Sequence, residues 1–445
     1  MGLFDRIFQK AKEPSEEPII RFGRYSDSYK EDENYEAWNA AIEAFTEGNF
    51  LDSYRHFFQY LRDEDEDNVR FTEENGKLHF EFFQGSKRIW GEANALKFKA
   101  EAKIAHTEDF SVRFLRRLLE QNFGLKYSRF ALDEDNNICI VFDTYTLDGS
   151  PYKLYYALKE LAVNADKQDD LLLDEFETLL DAVEDKHIRP VEEAEKEVKY
   201  HFIIRKIEDL LQAIDQSPLS PSEYPGAISY LLLSLTYKLD YLIKPEGYMM
   251  EALERIHRKY FAKDDLNNVE KNEYLQEEFK KLLGRSKEDY FRELYFTTAT
   301  FGITSPENHN RVANFIQMEL RNMDWYYENS YLQIATAIPN YIVGYSMFNY
   351  AVPKPDRQLF RLYYRITESR FFQELGFQGA YYNETTKQFD RRAIRRAIDD
   401  IRLKNADQYP HFRPVLGQLN YDNLATFSRS FLEMIQDLDL SRRIG

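Results

Sequence analysis

The sequence predicts an α+β N-terminal domain followed by an all-α C-terminal half, and three observations carry that prediction. Between residues 69 and 145 lie several short strand signals, with apolar and polar residues alternating at period two in Leu78–Phe83 and Leu96–Ile104. Beyond Glu197 apolar residues recur at helical spacing, with no convincing pair of strands. The 445-residue chain is too long for one small core and, at 43% apolar, rich enough to fill two or three.

The elements follow in order. Leu3, Phe4, Ile7 and Phe8 fall at i, i+1, i+4 and i+5, giving a short helix with one apolar face. It reads as a docking helix, for a membrane surface or a partner, or as an end that folds onto its own domain. Glu13–Glu33, polar and carrying Pro14 and Pro18, reads as a tether. Tyr35–Phe45 and Phe50–Leu61 form a helix hairpin broken at Gly48. Strands at Val69–Thr72 and Leu78–Phe83 flank Asn75-Gly76, a hairpin turn in which both residues tolerate positive φ. In the strand Leu96–Ile104, Leu96, Phe98, Ala100, Ala102 and Ile104 face one way and charged residues the other. A helix at Phe110–Gln121 turns Phe114, Leu115, Leu118 and Leu119 inward and Arg113, Arg116 and Arg117 outward. Strands Tyr127–Leu132 and Ile138–Tyr145 join through Asp133–Asn137, and helices follow from Pro151 to Ala165 and over Leu171–Glu184. The order is helices, three strands, helix, two strands, helices, in an antiparallel sheet. A boundary in His187–Glu197 divides the chain into 1–34, 35–187 and 188–445.

In the second half, helices are expected over Val198–Ile214, Gly226–Leu242, Tyr248–Phe261, Val269–Leu283, Lys287–Tyr295, Glu307–Met323, Tyr331–Tyr350, Asp356–Leu375, Arg391–Lys404 and Asn423–Asp437. Ser286 with Asp289 suggests one N-cap, and Ser305 before Pro306 another. Asn329–Pro353 is free of charge for 25 positions and long enough to span a bilayer. Gln333, Asn340, Asn349 and Pro339 argue instead for a buried helix kinked at Pro339.

Composition narrows the function. A net charge of −18 disfavours a phosphate-tracking nucleic-acid surface, so no nucleic acid is expected. A single cysteine, Cys139, rules out an intramolecular disulfide and fits a reducing, cytoplasmic setting, and the charged Met1–Lys12 lacks the apolar run of a secretory signal. No two histidines lie three or four residues apart, and no phosphate loop, dinucleotide fingerprint or GxSxG elbow occurs. No metal, no cofactor and no catalytic residue is expected.

Two clusters stand out as binding candidates. Arg357, Arg361 and Arg365 repeat at i, i+4 and i+8, a self-repelling ridge suited to an anion or acidic peptide, or to salt bridges with the chain's surplus acids. A second ridge, Arg391, Arg392, Arg395 and Arg396, already has Asp399 and Asp400 one turn on. Trp325, Tyr326 and Tyr327 are consecutive, so one helix cannot bury all three; Tyr341, Tyr345, Tyr350, Tyr363 and Tyr364 read mainly as helical core.

The stretch NFGLKYSRFALDEDNNICIVFDTYTLDGSPYKLYYALKELAVNAD, Asn122 to Asp166, ends a helix, makes two strands around an acidic turn and opens a helix at proline. With the elements before it, this resembles a YbjN-like domain, related in fold to type III secretion chaperones, over about residues 35–185 of a larger bacterial protein. The resemblance implies protein binding through sheet and helix surfaces, often as a dimer, and carries no catalytic residues. The expectation is a non-catalytic, chaperone-like adaptor with a protein partner. The alternatives are an enzyme or small-ligand receptor with a composite pocket around Arg357, Arg361 and Arg365, and a peripheral membrane adaptor using Leu3, Phe4, Ile7 and Phe8.

Overall fold

Glycine and asparagine set the first chain reversals. Gly48, at φ +83°, separates α1 (Asp32–Thr46) from α2 (Phe50–Leu61), which folds back against it. Asn75 and Gly76, at φ +52° and +74°, join β1 (Val69–Glu74) to β2 (Lys77–Gln84). The computed structural model describes residues 17–64, 66–107, 111–175, 180–181 and 188–443. Its sheet continues through β3 (Lys87–Ala93) and β4 (Lys97–His106), then β6 (Asn137–Tyr145) and β5 (Arg129–Leu132) at the edge, antiparallel throughout. Helix α3 (Val112–Gly124) lies between β4 and β5 in sequence, and α4 (Pro151–Glu175) packs across β2, β3, β4 and β6.

One face of the sheet builds the core. Phe98, Ala100, Ala102 and Ile104 are all buried, as their alternation predicts, while Leu96 lies outside the strand and is exposed. Phe58 of α2 meets Phe80 and Phe98, and Leu154, Leu158 and Leu161 of α4 close the layer.

Strand β3 is absent from the sequence reading, for a physical reason. Its inward-facing Lys87 is fully buried, its ammonium donating to the Ile104 carbonyl at 3.2 Å. Gly91 leaves room for Phe80, whose ring would lie 2.4 Å from any added Cβ. A lysine and a glycine thus interrupt the apolar alternation. The helix expected over Leu171–Glu184 is also corrected: residues to Glu175 continue α4, and Leu180–Asp181 (β7) pairs with β4.

The C-terminal half holds α5 (Glu193–Asp215), α6 (Pro225–Ile243), α7 (Gly247–Phe261), α8 (Asn268–Leu283), α9 (Lys287–Glu293), α10 (His309–Leu320), α11 (Met323–Glu328), α12 (Leu332–Asn349), α13 (Lys354–Thr367), α14 (Ser369–Glu374), α15 (Arg391–Lys404) and α16 (Leu424–Gln436). Helices α6 and α12 form its centre. Gly344 allows their close approach, since a Cβ there would sit 2.6 Å from that of Tyr237. Pro339 lies inside α12, and among the described residues no helix is long and apolar enough to cross a membrane.

Short strand pairs stitch this helical half. β8 (Ile188–Pro190) pairs with β9 (Tyr295–Thr297), and β12 (Tyr382–Asn383) with β13 (Gln388–Phe389). Ser305–Pro306 is a two-residue strand, β10, beside β11 (Tyr350–Ala351), not a helix start. The following helix begins at His309 and is capped by Asn308, whose side chain accepts from the Arg311 N–H. The helix expected over Asp356–Leu375 divides at Glu368, a buried carboxylate held by the ammoniums of Lys206 and Lys238.

The two halves are tied together. Thr300 Oγ1 donates to the Phe83 carbonyl, the Thr300 and Phe301 N–H groups reach Gln84, and Phe301 enters the core beside Phe82. Residues 17–31, read as a tether, form a packed strap. Ile20 joins the helical core, and Gly23, at φ +72°, lies so close to Tyr241 that a Cβ would meet its ring at 2.7 Å. Arg24 is held by Asp240 and Glu254, and Asp27 accepts from Gly302 N–H and Tyr155 O–H.

Candidate protein-binding site

Helix α3 has more apolar surface than the sheet covers. Its N-cap, Ser111, accepts from the Phe114 N–H, and Phe114 and Leu118 are buried. Val112, Leu115, Leu119 and Phe123, spaced i, i+3, i+7 and i+11, form a second stripe on the outside. Phe123 is 96% exposed, Val112 84%, Leu119 69% and Leu115 37%. This corrects the inward placement of Leu115 and Leu119. Two apolar stripes lie side by side, so spacing alone does not say which one the sheet takes.

The stripe is held in a fixed frame. Asn122 accepts the N–H of Phe130 on the edge strand β5 at 2.7 Å, which ties the helix to the sheet and occupies one edge donor. Glu160 of α4 accepts the N–H groups of Lys126, Tyr127 and Ser128, each at 2.9 Å, pinning the loop between α3 and β5. Burial raises the pKa of this carboxyl, but the bonds from Ser128, Lys126 and Tyr127 outweigh it and leave the value lowered.

Beside the stripe lies positive charge. Arg113, Arg116 and Arg117 sit on α3 with one acid, Glu120, which pairs with Arg116 at 3.0 Å. Along α3 itself basic residues outnumber acidic ones, the reverse of the chain's net charge of −18, and Arg113 and Arg117 also have partners of their own.

The residues singled out from sequence fall elsewhere. Leu3, Phe4, Ile7 and Phe8 lie outside the described residues. Arg357, Arg361 and Arg365 do share one side of α13, but the strap crosses it. Arg357 stacks on Tyr29 at 3.7 Å, Arg361 lies over Phe22 at 5.4 Å, and Arg365 pairs with Glu17 at 2.7 Å. The ridge therefore meets an acidic, aromatic peptide belonging to the same chain, and it is not an open site for another. Arg357 and Arg361 make no ion pair among the described residues, and both border cavities.

Of the aromatic triplet, Trp325 and Tyr327 are partly exposed and Tyr326 packs on the helical core. Trp325 stacks on Tyr224 and on Tyr331, so part of its ring is taken up within the chain. Tyr341, Tyr363 and Tyr364 are buried core residues. The chain matches no known protein-family model, and no curated protein matches it.

Proposed function

We propose that this protein is a non-catalytic adaptor that docks an acidic amphipathic helix of a partner protein on the outer face of α3. The observation that carries this reading is the stripe of Val112, Leu115, Leu119 and Phe123, exposed on a well-anchored helix and bordered by arginines. A rigid apolar stripe favours helix-in-groove recognition, and the basic margin selects a partner of opposite charge. The resemblance of residues 35–185 to YbjN-like domains, which implies partner binding on sheet and helix surfaces, points the same way.

The test is a photo-crosslinking residue placed at position 119 of the full chain in its native cells, with crosslinked peptides mapped by mass spectrometry. The reading expects crosslinks to an acidic amphipathic segment of a different protein. Crosslinks to a second copy of this chain, to its own residues 1–16, to lipid, or to nothing would each overturn it.

A further inference from the structure

The strap does not fill the space above α13. A cavity of about 270 Å³ remains between the strap, α6, α12 and α13, close to the lower end of small-ligand pockets. Its lining is one-sided in charge. Arg24, Arg357 and Arg361 border it, and among the described residues no carboxylate does. The chain has 77 acids against 59 bases, yet that surplus does not reach this wall.

Two of the three guanidiniums are left without a counter-charge. Arg24 is held by Asp240 and Glu254. Arg357 and Arg361 make no ion pair among the described residues and lie over the rings of Tyr29 and Phe22, at 3.7 and 5.4 Å. A ring meets the flat face of a guanidinium and leaves the N–H edge for an acceptor. Arg361 is exposed and Arg357 half-buried, so the pair is reached from solvent.

The second, independent observation is the hydroxyl of Tyr241 on α6. Tyr241 is 5% exposed, its ring set against Gly23 and stacked on Tyr364 at 5.2 Å. The Tyr364 hydroxyl is sealed in the core, whereas that of Tyr241 has no hydrogen-bond partner among the described residues and opens on the cavity. Burial pushes its pKa up and the charges of Arg361 and Arg357 pull it back, to about 12. The phenol therefore keeps its proton at neutral pH, with no acceptor in the chain to take it. A hydroxyl set this deep is ordinarily hydrogen-bonded.

The rest of the wall is of another kind. Phe22, Met347 and Tyr350 give it aromatic and thioether surface. Gln358 already accepts from the Asn405 amide at 2.6 Å, which leaves its own N–H groups towards the cavity side.

We propose that this cavity binds a small organic carboxylate, its two oxygens shared between Arg357 and Arg361, with the Tyr241 hydroxyl donating to one of them and the apolar body resting on Phe22, Met347 and Tyr350. Guanidinium forks match the planar carboxylate, and the volume exceeds what a bare anion requires.

The test is isothermal titration calorimetry on the full chain with benzoate, its uncharged isostere benzamide, and inorganic phosphate. Saturable one-to-one binding of benzoate is expected, at least about tenfold tighter than either of the others. Tyr241→Phe keeps the packed ring and removes only the hydroxyl, and Arg361→Gln changes an exposed side chain, so both should melt like the parent. Each should weaken benzoate by about tenfold or more. Absence of heat and of thermal shift with benzoate at about 10 mM would overturn the proposal, a mM-range Kd being the weakest specific binding expected. So would equal binding of benzamide or phosphate, or unchanged affinity in whichever variant melts like the parent.

Discussion

Helices α3 and α13 are alike on paper. Each has a buried apolar side and three arginines, Arg113, Arg116 and Arg117 on one and Arg357, Arg361 and Arg365 on the other. In the fold they part ways. The arginines of α13 are crossed by Glu17, Phe22 and Tyr29, residues more than 300 positions away, whereas the outer stripe of α3 meets solvent. The difference teaches that a helix's own pattern sets which surfaces it can bury, while a distant segment decides which of them it does.

Breaking the covered side should have the largest effect. Arg24 anchors the strap to the buried Asp240, so Arg24→Ala leaves that carboxylate unpaired and should cost ~3–5 kcal/mol, read as a lower urea midpoint. Acid should reach the same half. Burial raises the Glu368 carboxyl, but Lys206 and Lys238 outweigh it and hold it at about 2 against an ordinary 4.5. The unfolded chain therefore takes up that proton first, and stability falls as pH drops from 4.5 towards 2. His257, held neutral chiefly by burial and then by the charge of Arg24, is pushed down to about 4. Its unfolded form protonates below 6.5, so stability also declines between pH 6.5 and 4. A urea midpoint that stays flat from pH 7 to about 3, across the window where shifted groups titrate, would contradict both assignments.

Adjacent leucines on α3 sharpen the comparison. Leu118→Ala empties a buried position and should cost ~2–5 kcal/mol, whereas Leu119→Ala should stay within ~0.5 kcal/mol of the parent. Equal losses at 118 and 119 would mean that the outer stripe is covered. A smaller effect is expected for Glu160→Gln, which removes one of the carboxylate oxygens that hold the loop between α3 and β5. About 1 kcal/mol should be lost, with faster amide exchange at Lys126–Ser128.

Much of this architecture was legible from local pattern. Helix α15 (Arg391–Lys404) matches its expected limits, and the Asn75-Gly76 hairpin follows from two residues that tolerate positive φ. What stayed hidden was set by partners remote in sequence. Strand β3 depends on Lys87 finding the Ile104 carbonyl and on Gly91 yielding space to Phe80. The strap looks polar, yet Arg24 and Asp27 are polar because they bond Asp240, Tyr155 and Gly302. The His309–Asp356 pair spans 47 positions between the starts of two helices, and no spacing rule connects them. The arginine row of α13 was visible, but not the peptide lying on it.

The central claim is that the outer stripe of α3 is kept for a partner, and binding measured directly at that stripe tests it most sharply. The acidic segment recovered by crosslinking at position 119 is synthesised as a peptide and titrated into the parent chain and into a Leu119→Asp, Phe123→Ser variant. Both proteins should melt alike. The parent should bind more weakly as salt rises, and the variant at least about tenfold more weakly than the parent. Equal affinity for the two proteins would contradict the account.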